Sequence, residues 1–288
     1  MASSVANDLC DLDRVGIPVA WKILPGNEKE AWNPHWEALL KLLHRSVPND
    51  WQVLVLSDRG LESAYLFRAI TGLHWHPLMR AKNNGLFRPQ GWKGWYKMAS
   101  FVPQRGKRFA MRGAAYKTAS DPLQCTLMAC WDEGYQDPWL ILTDLEPAAA
   151  NPCWYGFRTW IEQGFKVIKS EGLQWQGTRM SDPRRMERMW LAIAVSTLWL
   201  VAIGAEVERA AEIETIAPVP TPKAKSKAKP ARRHRLFKVG LAEVLARLVN
   251  GEPLPLAREK LPEEPWPEPW HECPTITEAE FLLEKTYP

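Results

Sequence analysis

A continuous apolar run at Trp51–Ser57 (WQVLVLS) narrows the choice of fold more than any other part of this sequence. The run has the length of a strand and shows no alternation between apolar and polar positions. Such runs are typical of strands that are buried on both faces of a parallel or mixed sheet. The run stops at Asp58, Arg59 and Gly60, so we expect the strand to end with Asp58 at its carboxyl end.

The segments around this run alternate between strand and helix patterns. Ile17–Leu24 (IPVAWKIL) is rich in β-forming residues and predicts a strand, and residues 28–45 carry apolar residues at helical spacing and predict a helix. A second helix is expected at about Ser63–Thr71, and another strand at about His74–Arg80. Strands that alternate with helices in this order indicate an α/β sheet.

The chain then changes character. Residues 83–147 hold short β-like segments between Gly, Pro and aromatic residues, which predicts a β-rich insertion. Helical periodicity returns at Pro152 and continues to about Val207, with a break near Gly172–Gly177. The regions expected from this survey are an N-terminal segment at 1–16, the main domain at 17–207, a basic proline-rich linker at 208–240, and a tail at 241–288 with a short helix near Leu241–Val249.

Composition excludes several classes of protein. The 288 residues are 46% hydrophobic and 24% charged, enough for a large core, and the net charge of +4 does not by itself require a polyanionic partner. The five cysteines show no zinc-ligand spacing, so we expect reduced thiols and no structural metal. The N-terminus lacks a signal-peptide pattern, and the apolar run Met189–Ile203 is shorter than a bilayer span. We therefore expect a cytoplasmic protein with no membrane partner.

Residues Trp154–Ser170 (WYGFRTWIEQGFKVIKS) carry the most informative pattern. At about 100° per residue, four polar side chains fall within roughly 60° of helical arc; they are Tyr155, Arg158, Glu162 and Lys169. The neighbouring arc is apolar and is expected to pack the helix onto a sheet; it consists of Phe157, Ile161, Phe165 and Ile168. The carboxylate can hold a divalent cation while the other polar groups donate to phosphate oxygens. The alternative is an exposed helix with an ordinary i,i+4 ion pair between Arg158 and Glu162.

The same residues match a known signature. The pattern Y-x-x-R-x-x-x-E-x-x-x-x-x-x-K, from Tyr155 to Lys169, resembles the one that a branch of the DDE transposases of bacterial insertion sequences places around its last catalytic carboxylate. WQVLVLSDRG resembles the segment that ends in the family's second catalytic Asp, here Asp58. The likeness extends from about Ile17 to Val207 and keeps the family's order of strand with Asp, β-rich insertion, and helix with Glu.

This resemblance implies a ribonuclease H-like mixed sheet flanked by helices, with a two-metal site for Mg²⁺ or Mn²⁺. Asp58 and Glu162 would be the catalytic carboxylates and metal ligands. Contacts with the DNA backbone would come from Tyr155, Arg158 and Lys169. In the family, water first cleaves a strand and the freed 3′-hydroxyl then attacks target DNA. The implied partners are double-stranded DNA, at transposon ends and target, and a second copy of the chain as a homodimer on that DNA, within the bacterial cytoplasm and nucleoid.

One part of the family's pattern is not found in the sequence. The resemblance places a first catalytic Asp and two strands ahead of the segment that begins at Ile17, and sixteen residues stand there. That stretch has no aliphatic run of strand length, so its aspartates are interpreted as turn residues; they are Asp8, Asp11 and Asp13. We therefore expect a truncated chain, inactive or dependent on an intact partner, with an unpaired apolar edge at Trp51–Ser57.

Other interpretations stay open at this point. A non-catalytic transposase remnant or inhibitor would bind DNA without metal, and a different metal nuclease of the same fold would hydrolyse DNA without strand transfer. Three sets of residues have both a DNA-binding and a structural interpretation; they are the basic run Lys223–Lys238, the arginines Arg184, Arg185 and Arg188, and the tryptophans Trp92, Trp95 and Trp131. His74 and His76 are either a metal-binding pair or the polar face of a strand.

Overall fold

The computed structural model of the protein describes residues 16–25, 32–117, 120–216, 235–257, 268–269 and 276–286. The chain forms two compact units. The sheet unit comprises Glu30–Gly156 and Trp266–Pro288, and the helical unit comprises Met1–Lys29 and Phe157–Pro265. Each unit is therefore built from two separate stretches of the chain.

Six α-helices and seven strands lie in the described residues. The helices are α1 (Asn33–His44), α2 (Ala64–Thr71), α3 (Arg158–Lys166), α4 (Pro183–Ile216), α5 (Arg235–Asn250) and α6 (Glu278–Thr286). The strands are β1 (Leu54–Ser57), β2 (His76–Arg80), β3 (Leu86–Pro89), β4 (Tyr96–Lys97), β5 (Arg108–Ala115), β6 (Leu123–Cys130) and β7 (Trp139–Thr143). Short 3-10 helices follow β1 at Arg59–Leu61 and precede α3 at Pro152–Phe157, and a π-helical turn continues α3 at Val167–Glu171.

The sheet unit is organised around one mixed sheet with strand order β1-β2-β7-β6-β5-β3-β4. Strands β1 and β2 are parallel, with Ser57 opposite Met79, and α2 lies between them in the chain. Ser63 begins α2 as its N-cap, because its hydroxyl accepts a hydrogen bond from the Leu66 N–H. The predicted strand-helix-strand series is confirmed here, and with it the α/β class.

Strand β1 is the terminal strand of the described sheet, and it starts later than the sequence predicts. A turn brings the Trp51 N–H to the Pro48 carbonyl oxygen (3.2 Å) and leaves the Trp51 side chain 64% exposed, so pairing begins only at Leu54. Leu54, Val55 and Leu56 are partly buried, which corrects the expectation of burial on both faces. The cause is position, because a terminal strand has a neighbour on one side only.

The β-rich region predicted for residues 83–147 forms the rest of this sheet. Strands β5 and β6 are a long antiparallel pair that runs from Arg108, opposite Cys130, to Ala115, opposite Leu123. Strand β7 pairs with β6 and also with β2. The β-rich region is therefore continuous with the α/β part through backbone hydrogen bonds.

One face of this sheet carries the core of the sheet unit. Met79, Leu142 and Leu127 are cross-strand neighbours on β2, β7 and β6, and none of them is exposed to solvent. Phe67 and Ile70 of α2 are buried in the same cluster. The helix packs there because its apolar residues lie on one side, which is the pattern of an amphipathic helix.

The helical unit depends on a close crossing of α4 and α5. A Cβ atom placed on Gly240 would lie 1.9 Å from the Leu200 carbonyl oxygen, and one placed on Gly204 would lie 1.9 Å from the Leu236 carbonyl oxygen. Only glycine permits two helix backbones to approach so closely. Phe237 of α5 is fully buried in the cluster around this crossing.

Helix α5 is longer than the short helix expected near Leu241–Val249. It starts at Arg235, because Leu236 and Phe237 are buried in the helical unit and extend its apolar side by more than one turn. The predicted linker therefore overlaps the end of α4 and the start of α5. Most of the basic run Lys223–Lys238 lies outside the described residues, and Lys238 contacts Glu171 at 3.4 Å.

The strand predicted at Ile17–Leu24 is wrong. Residues 16–25 are an irregular segment of the helical unit, where the Gly16 N–H donates to the Trp160 carbonyl oxygen (2.7 Å). The indole N–H of Trp21 donates to the Glu187 carbonyl oxygen (3.2 Å). Trp21 and Ile23 are partly buried and pack against apolar residues of the helices, so an apolar run of strand length did not require a sheet partner.

Helix α6 was not predicted, and it packs onto the sheet unit. Its Phe281 is buried beside Trp92, with ring centroids 5.3 Å apart, and stacks on Phe101 at 5.0 Å. The Glu278 carboxylate accepts hydrogen bonds from the Lys93 and Gly94 N–H groups and from the Tyr96 hydroxyl. The phenylalanine and the carboxylate together attach the C-terminal segment to the loop between β3 and β4.

One described helix is long and apolar enough to cross a membrane by length and composition alone. The segment is Pro183–Ala211 in α4, and 56% of its most apolar window is buried. Core helices of soluble proteins pass the same test, so this finding is weak evidence for a membrane segment.

Candidate active site

Asp58 stands directly after β1 and begins the 3-10 helix Arg59–Leu61. Its backbone is extended, and one carboxylate oxygen accepts a hydrogen bond from the Arg59 N–H at 2.7 Å. The Arg59 guanidinium is in turn 3.2 Å from the Asp137 carboxylate. The end of the strand and the cap together fix the backbone direction of Asp58, as expected for an N-cap residue.

Tyr155 is buried close to the end of the same strand. Its side chain is 2% exposed, and its hydroxyl donates to the carbonyl oxygen of Ser57 at 3.3 Å. Its ring meets Trp139 edge to face with centroids 5.5 Å apart, and the Arg80 guanidinium lies 6.0 Å from its centre. This placement argues against the predicted contact of Tyr155 with DNA and indicates a role in positioning the residue before Asp58.

The four residues of the predicted polar stripe lie in three kinds of helix. Tyr155 lies in a 3-10 helix, Arg158 and Glu162 in α3, and Lys169 in the π-helical turn. A 3-10 helix turns about 120° per residue, so the constant 100° used for the prediction does not hold across the segment. Burial, and not the turn angle, sets Tyr155 apart from this stripe, because Tyr155 is buried whereas Glu162 and Lys169 are exposed.

Arg158, Glu162 and Lys169 all belong to the helical unit. Arg158 donates to the Glu162 carboxylate in an i,i+4 ion pair, and the Glu162 side chain is 56% exposed. The Lys169 side chain is exposed, with its ammonium 5.3 Å from the ring of Phe165. Glu162 and Lys169 are exposed and Arg158 is 25% exposed, and the three include the ordinary ion pair that the sequence left as an alternative.

The predicted apolar face of α3 is partly wrong. Phe157 and Ile168 are buried as expected, but Ile161 is 45% exposed and Phe165 is 46% exposed. Gly164 is buried instead, because a Cβ there would lie 2.5 Å from the Gly16 carbonyl oxygen. A glycine inside a helix costs about 1 kcal/mol relative to alanine, so Gly164 was the signal in the sequence for a close backbone contact.

The sequence matches the family described as "Transposase DDE domain" over residues 13–199, which is more than half of the chain. The chain belongs to this family. The matched range contains Asp58 of the sheet unit and Glu162 of the helical unit. A comparison with curated proteins finds no match.

Membership of the DDE family implies a divalent metal, since DDE transposases generally use one. Among the described residues, no group of three or more His, Cys, Asp or Glu side chains is placed to hold a metal ion. Asp58 and Glu162 supply oxygen donors, which are the type that Mg²⁺ prefers, and they belong to different units. The described part of this DDE domain therefore contains carboxylates whose chemistry suits such an ion.

The two histidines do not share one strand face, which was the premise of the metal-binding interpretation. Strand β2 begins at His76, and His74 precedes it with a left-handed backbone (φ 59°). His76 Nδ1 is 3.0 Å from a carboxylate oxygen of Asp144. A partly buried histidine held by a carboxylate explains this residue without a metal.

The remaining candidates for DNA contact divide between core and surface. Trp92 packs in the aromatic cluster with Phe101 and Phe281, which favours the structural interpretation. The three predicted arginines at the start of α4 are exposed; they are Arg184, Arg185 and Arg188. Asp182 accepts the Arg185 N–H (2.8 Å), and this bond holds the pKa of the Asp182 carboxyl below its usual value.

The described cysteines agree with the expectation of reduced thiols. Cys125, Cys130 and Cys153 are free, and the first two are buried. Burial raises the pKa of Cys125 to about 12. A thiol of this kind stays protonated at neutral pH and is not a nucleophile.

Proposed function

We propose that this DDE domain is the catalytic part of a DNA transposase of the branch with the Tyr-Arg-Glu-Lys signature. Its reaction would be metal-dependent cleavage of phosphodiester bonds at transposon ends, followed by strand transfer to target DNA. The observation that carries the proposal is the family match over residues 13–199, which includes Asp58 at the end of a strand and Glu162 on a helix. We also propose that the mixed sheet is ribonuclease H-like.

The proposed roles of the residues follow from their chemistry. Asp58 and Glu162 would hold Mg²⁺, which can stabilise charge on the attacking and leaving oxygens of an in-line displacement. Arg158 and Lys169 are accessible cations and would donate to phosphate oxygens of the DNA. Tyr155 would act by positioning, because its hydroxyl bonds to the Ser57 carbonyl next to Asp58.

The partners in this proposal are double-stranded DNA and a second copy of the chain. The DNA would be bound first at the transposon ends and then at the target, in the bacterial cytoplasm. Arg184, Arg185 and Arg188 would add electrostatic contacts with the backbone, since they are exposed on consecutive turns of one helix.

A cleavage assay with the full chain tests the proposal. The substrate is a plasmid that carries the gene of this protein with its flanking DNA, incubated with Mg²⁺ or with EDTA. Products that form with Mg²⁺ and not with EDTA would support the proposal and would contradict the expectation that the chain alone is inactive. In that case we expect a loss of more than about 100-fold in Asp58→Asn and in Glu162→Gln, since these changes remove metal ligands. The matched controls are Asp121→Asn and Glu133→Gln, which alter exposed carboxylates elsewhere in the sheet unit. Unchanged cleavage by Asp58→Asn would contradict the proposal.

A non-catalytic DNA-binding protein is the second candidate. It is favoured by one observation, that the described residues contain no group of three metal-binding side chains. Such a protein would bind the same plasmid DNA equally well in EDTA and would yield no cleavage products with Mg²⁺ or Mn²⁺. The assay above therefore separates the two functions.

A further inference from the structure

A cleft of about 490 Å³ lies on the sheet unit at strands β3, β5 and β6. Arg88 is opposite Ala114 on β5, and Ala114 is opposite Gln124 on β6. Arg112 is two residues before Ala114 and so projects from the same face. Small residues form the floor, because Gly113 and Ala114 line the cleft between longer polar side chains.

The two arginines of this cleft differ in how they are engaged. The Arg112 guanidinium donates to the Asp144 carbonyl oxygen (2.9 Å) and is 3.3 Å from the Glu146 carboxylate. The Arg88 guanidinium lies 5.0 Å from the centre of the Trp95 ring. No hydrogen bond or ion pair joins the Arg88 guanidinium to another residue in the described part of the chain. Within the described ranges its donors are therefore not used, although one side of the group faces an aromatic ring.

The chemistry of the lining identifies the kind of ligand. An arginine over an aromatic ring keeps its charge and its planar fork of donors, the geometry that fits phosphate oxygens. Gln90 and Gln124 are exposed and add carboxamides that both donate and accept hydrogen bonds. None of the described residues that line the cleft is acidic, and the volume exceeds what one phosphate ion needs. The lining suits a phosphate group that is part of a larger polar chain.

We propose that this cleft binds the sugar-phosphate backbone of DNA, with Arg88 as the principal phosphate contact. The inference rests on the proposed function, because it names a second surface through which a transposase domain would hold its substrate. Arg112 contributes charge but less directly, since Glu146 and the Asp144 carbonyl already accept its hydrogen bonds. Trp92 lines the same cleft and is supported from behind by Phe281 of α6.

The test measures DNA binding by the full chain in EDTA, so that cleavage plays no part. A labelled 20-base-pair duplex and a single strand of the same length are titrated at several salt concentrations by fluorescence anisotropy. For Arg88→Ala we expect Kd to rise about tenfold or more, and the slope of log K against log salt to fall by about 1. Gln124→Glu should also weaken binding, because it places a negative charge in the cleft without removing an arginine.

Arg105→Ala is the matched control. Arg105 lies 6.0 Å from the ring of Trp131 in the same unit, outside the cleft, and it donates to the Tyr135 carbonyl oxygen. Equal effects of Arg88→Ala and Arg105→Ala on Kd and slope would overturn the inference, as would no effect of Arg88→Ala. Thermal melting of each variant excludes unfolding as the cause of weaker binding.

Two further measurements are needed. One distinguishes DNA from free phosphate as the ligand, and the other distinguishes failure of this inference from failure of the proposed catalytic function. Competition by 10 mM inorganic phosphate as strong as that by unlabelled duplex would indicate a free-anion site and overturn the DNA assignment. If the wild type cleaves DNA but Arg88→Ala binds DNA as tightly as the wild type, only this inference is overturned. Binding that depends on Arg88 without Mg²⁺-dependent cleavage would overturn the proposed catalytic function alone.

Discussion

The sheet unit and the helical unit hold their candidate functional residues in different ways. In the sheet unit, Asp58 caps a 3-10 helix at a strand end, and the buried Tyr155 bonds to the preceding carbonyl. In the helical unit, Arg158 and Glu162 pair with each other at the surface, and Lys169 is exposed. The first set is fixed through backbone hydrogen bonds, and the second is positioned mainly by the helix that carries it.

This difference shows which side chains still have conformational freedom to lose when a ligand binds. A side chain that caps a helix or is buried has already lost conformational freedom on folding. Little further ordering of that side chain is needed when a ligand binds. Exposed arginine, glutamate and lysine side chains must be ordered at the moment of binding. We therefore expect a change at Tyr155 to alter stability and changes along α3 to alter DNA contacts.

The largest expected effects come from matched core truncations, one in each unit. Phe109 is buried in the sheet unit and Phe237 in the helical unit. Phe109→Ala and Phe237→Ala should each lower the free energy of unfolding by about 3–5 kcal/mol, since each leaves a cavity. Denaturant titration followed by tryptophan fluorescence measures both. If the two units unfold separately, each variant should move a different part of the unfolding curve to lower denaturant concentration. If both variants move the whole curve by the same amount, the units unfold together.

Glycine substitution at the crossing of α4 and α5 should have the next largest effect. Gly240→Ala places a Cβ 1.9 Å from the Leu200 carbonyl oxygen, so the helices must separate. We expect a loss of at least about 1–3 kcal/mol, as for overpacked cores, measured by thermal denaturation. Gly177→Ala in the same unit is the control, because no atom lies within 4 Å of its added Cβ. Equal stability of the two variants would contradict the close crossing.

Tyr155→Phe separates positioning from DNA contact. Removing the hydroxyl leaves the Ser57 carbonyl without this donor and should cost about 0.5–1.5 kcal/mol of stability. DNA affinity in EDTA should stay unchanged, because the side chain is buried. Weaker DNA binding with unchanged stability would instead support the contact that the sequence signature predicts.

A fall in pH should have a smaller effect, which is confined to the attachment of α6 to the sheet unit. The Tyr96 hydroxyl and then the Lys93 and Gly94 N–H groups hold the pKa of Glu278 below its ordinary value of 4.5. The attachment of α6 by this carboxylate is therefore complete above that value and is lost as the pH falls through the lowered pKa. Intrinsic tryptophan fluorescence, to which Trp92 beside Phe281 contributes, should report this release as the pH falls through the lowered pKa. Glu278→Gln should remove this pH dependence, and its persistence in that variant would assign the change to another group.

The smallest effect on stability is expected from the surface pair of α3. Arg158→Ala should change the free energy of unfolding by only about 0.3–0.5 kcal/mol, because exposed i,i+4 pairs contribute little. Its effect on DNA affinity should be larger than its effect on stability, which anisotropy and denaturant titration together measure. A destabilisation comparable to that of Tyr155→Phe would remove the contrast between the two units.

Local pattern predicted much of the sheet unit correctly. The helix Ser63–Thr71, the strand His74–Arg80 and the β-rich character of residues 83–147 all follow from periodicity and turn residues. The family, too, followed from motif spacing around Asp58 and Glu162. These features depend on residues close together in the chain, so the sequence contains the necessary information.

Other features depended on partners that are distant in the chain. Ile17–Leu24 has the composition of a strand but packs on helices, and the C-terminal tail contains a helix whose Phe281 enters an aromatic cluster more than 170 residues earlier. Tyr155 fits the polar stripe by spacing, yet its side chain is buried and bonds to the Ser57 carbonyl, almost a hundred residues earlier in the chain. No single segment specifies such contacts.

The sequence by itself determined the α/β class, the transposase family and the identity of the candidate carboxylates, because hydrophobic period and motif spacing are local properties. Only the tertiary structure decided which of the candidate side chains are accessible to a ligand and which are fixed by burial or by hydrogen bonds to the backbone. It also revealed the arginine-lined cleft, whose residues Arg88, Arg112 and Gln124 come from three strands. Burial and strand register join residues far apart in the chain, and those pairings are fixed only when the whole sheet and its core form together.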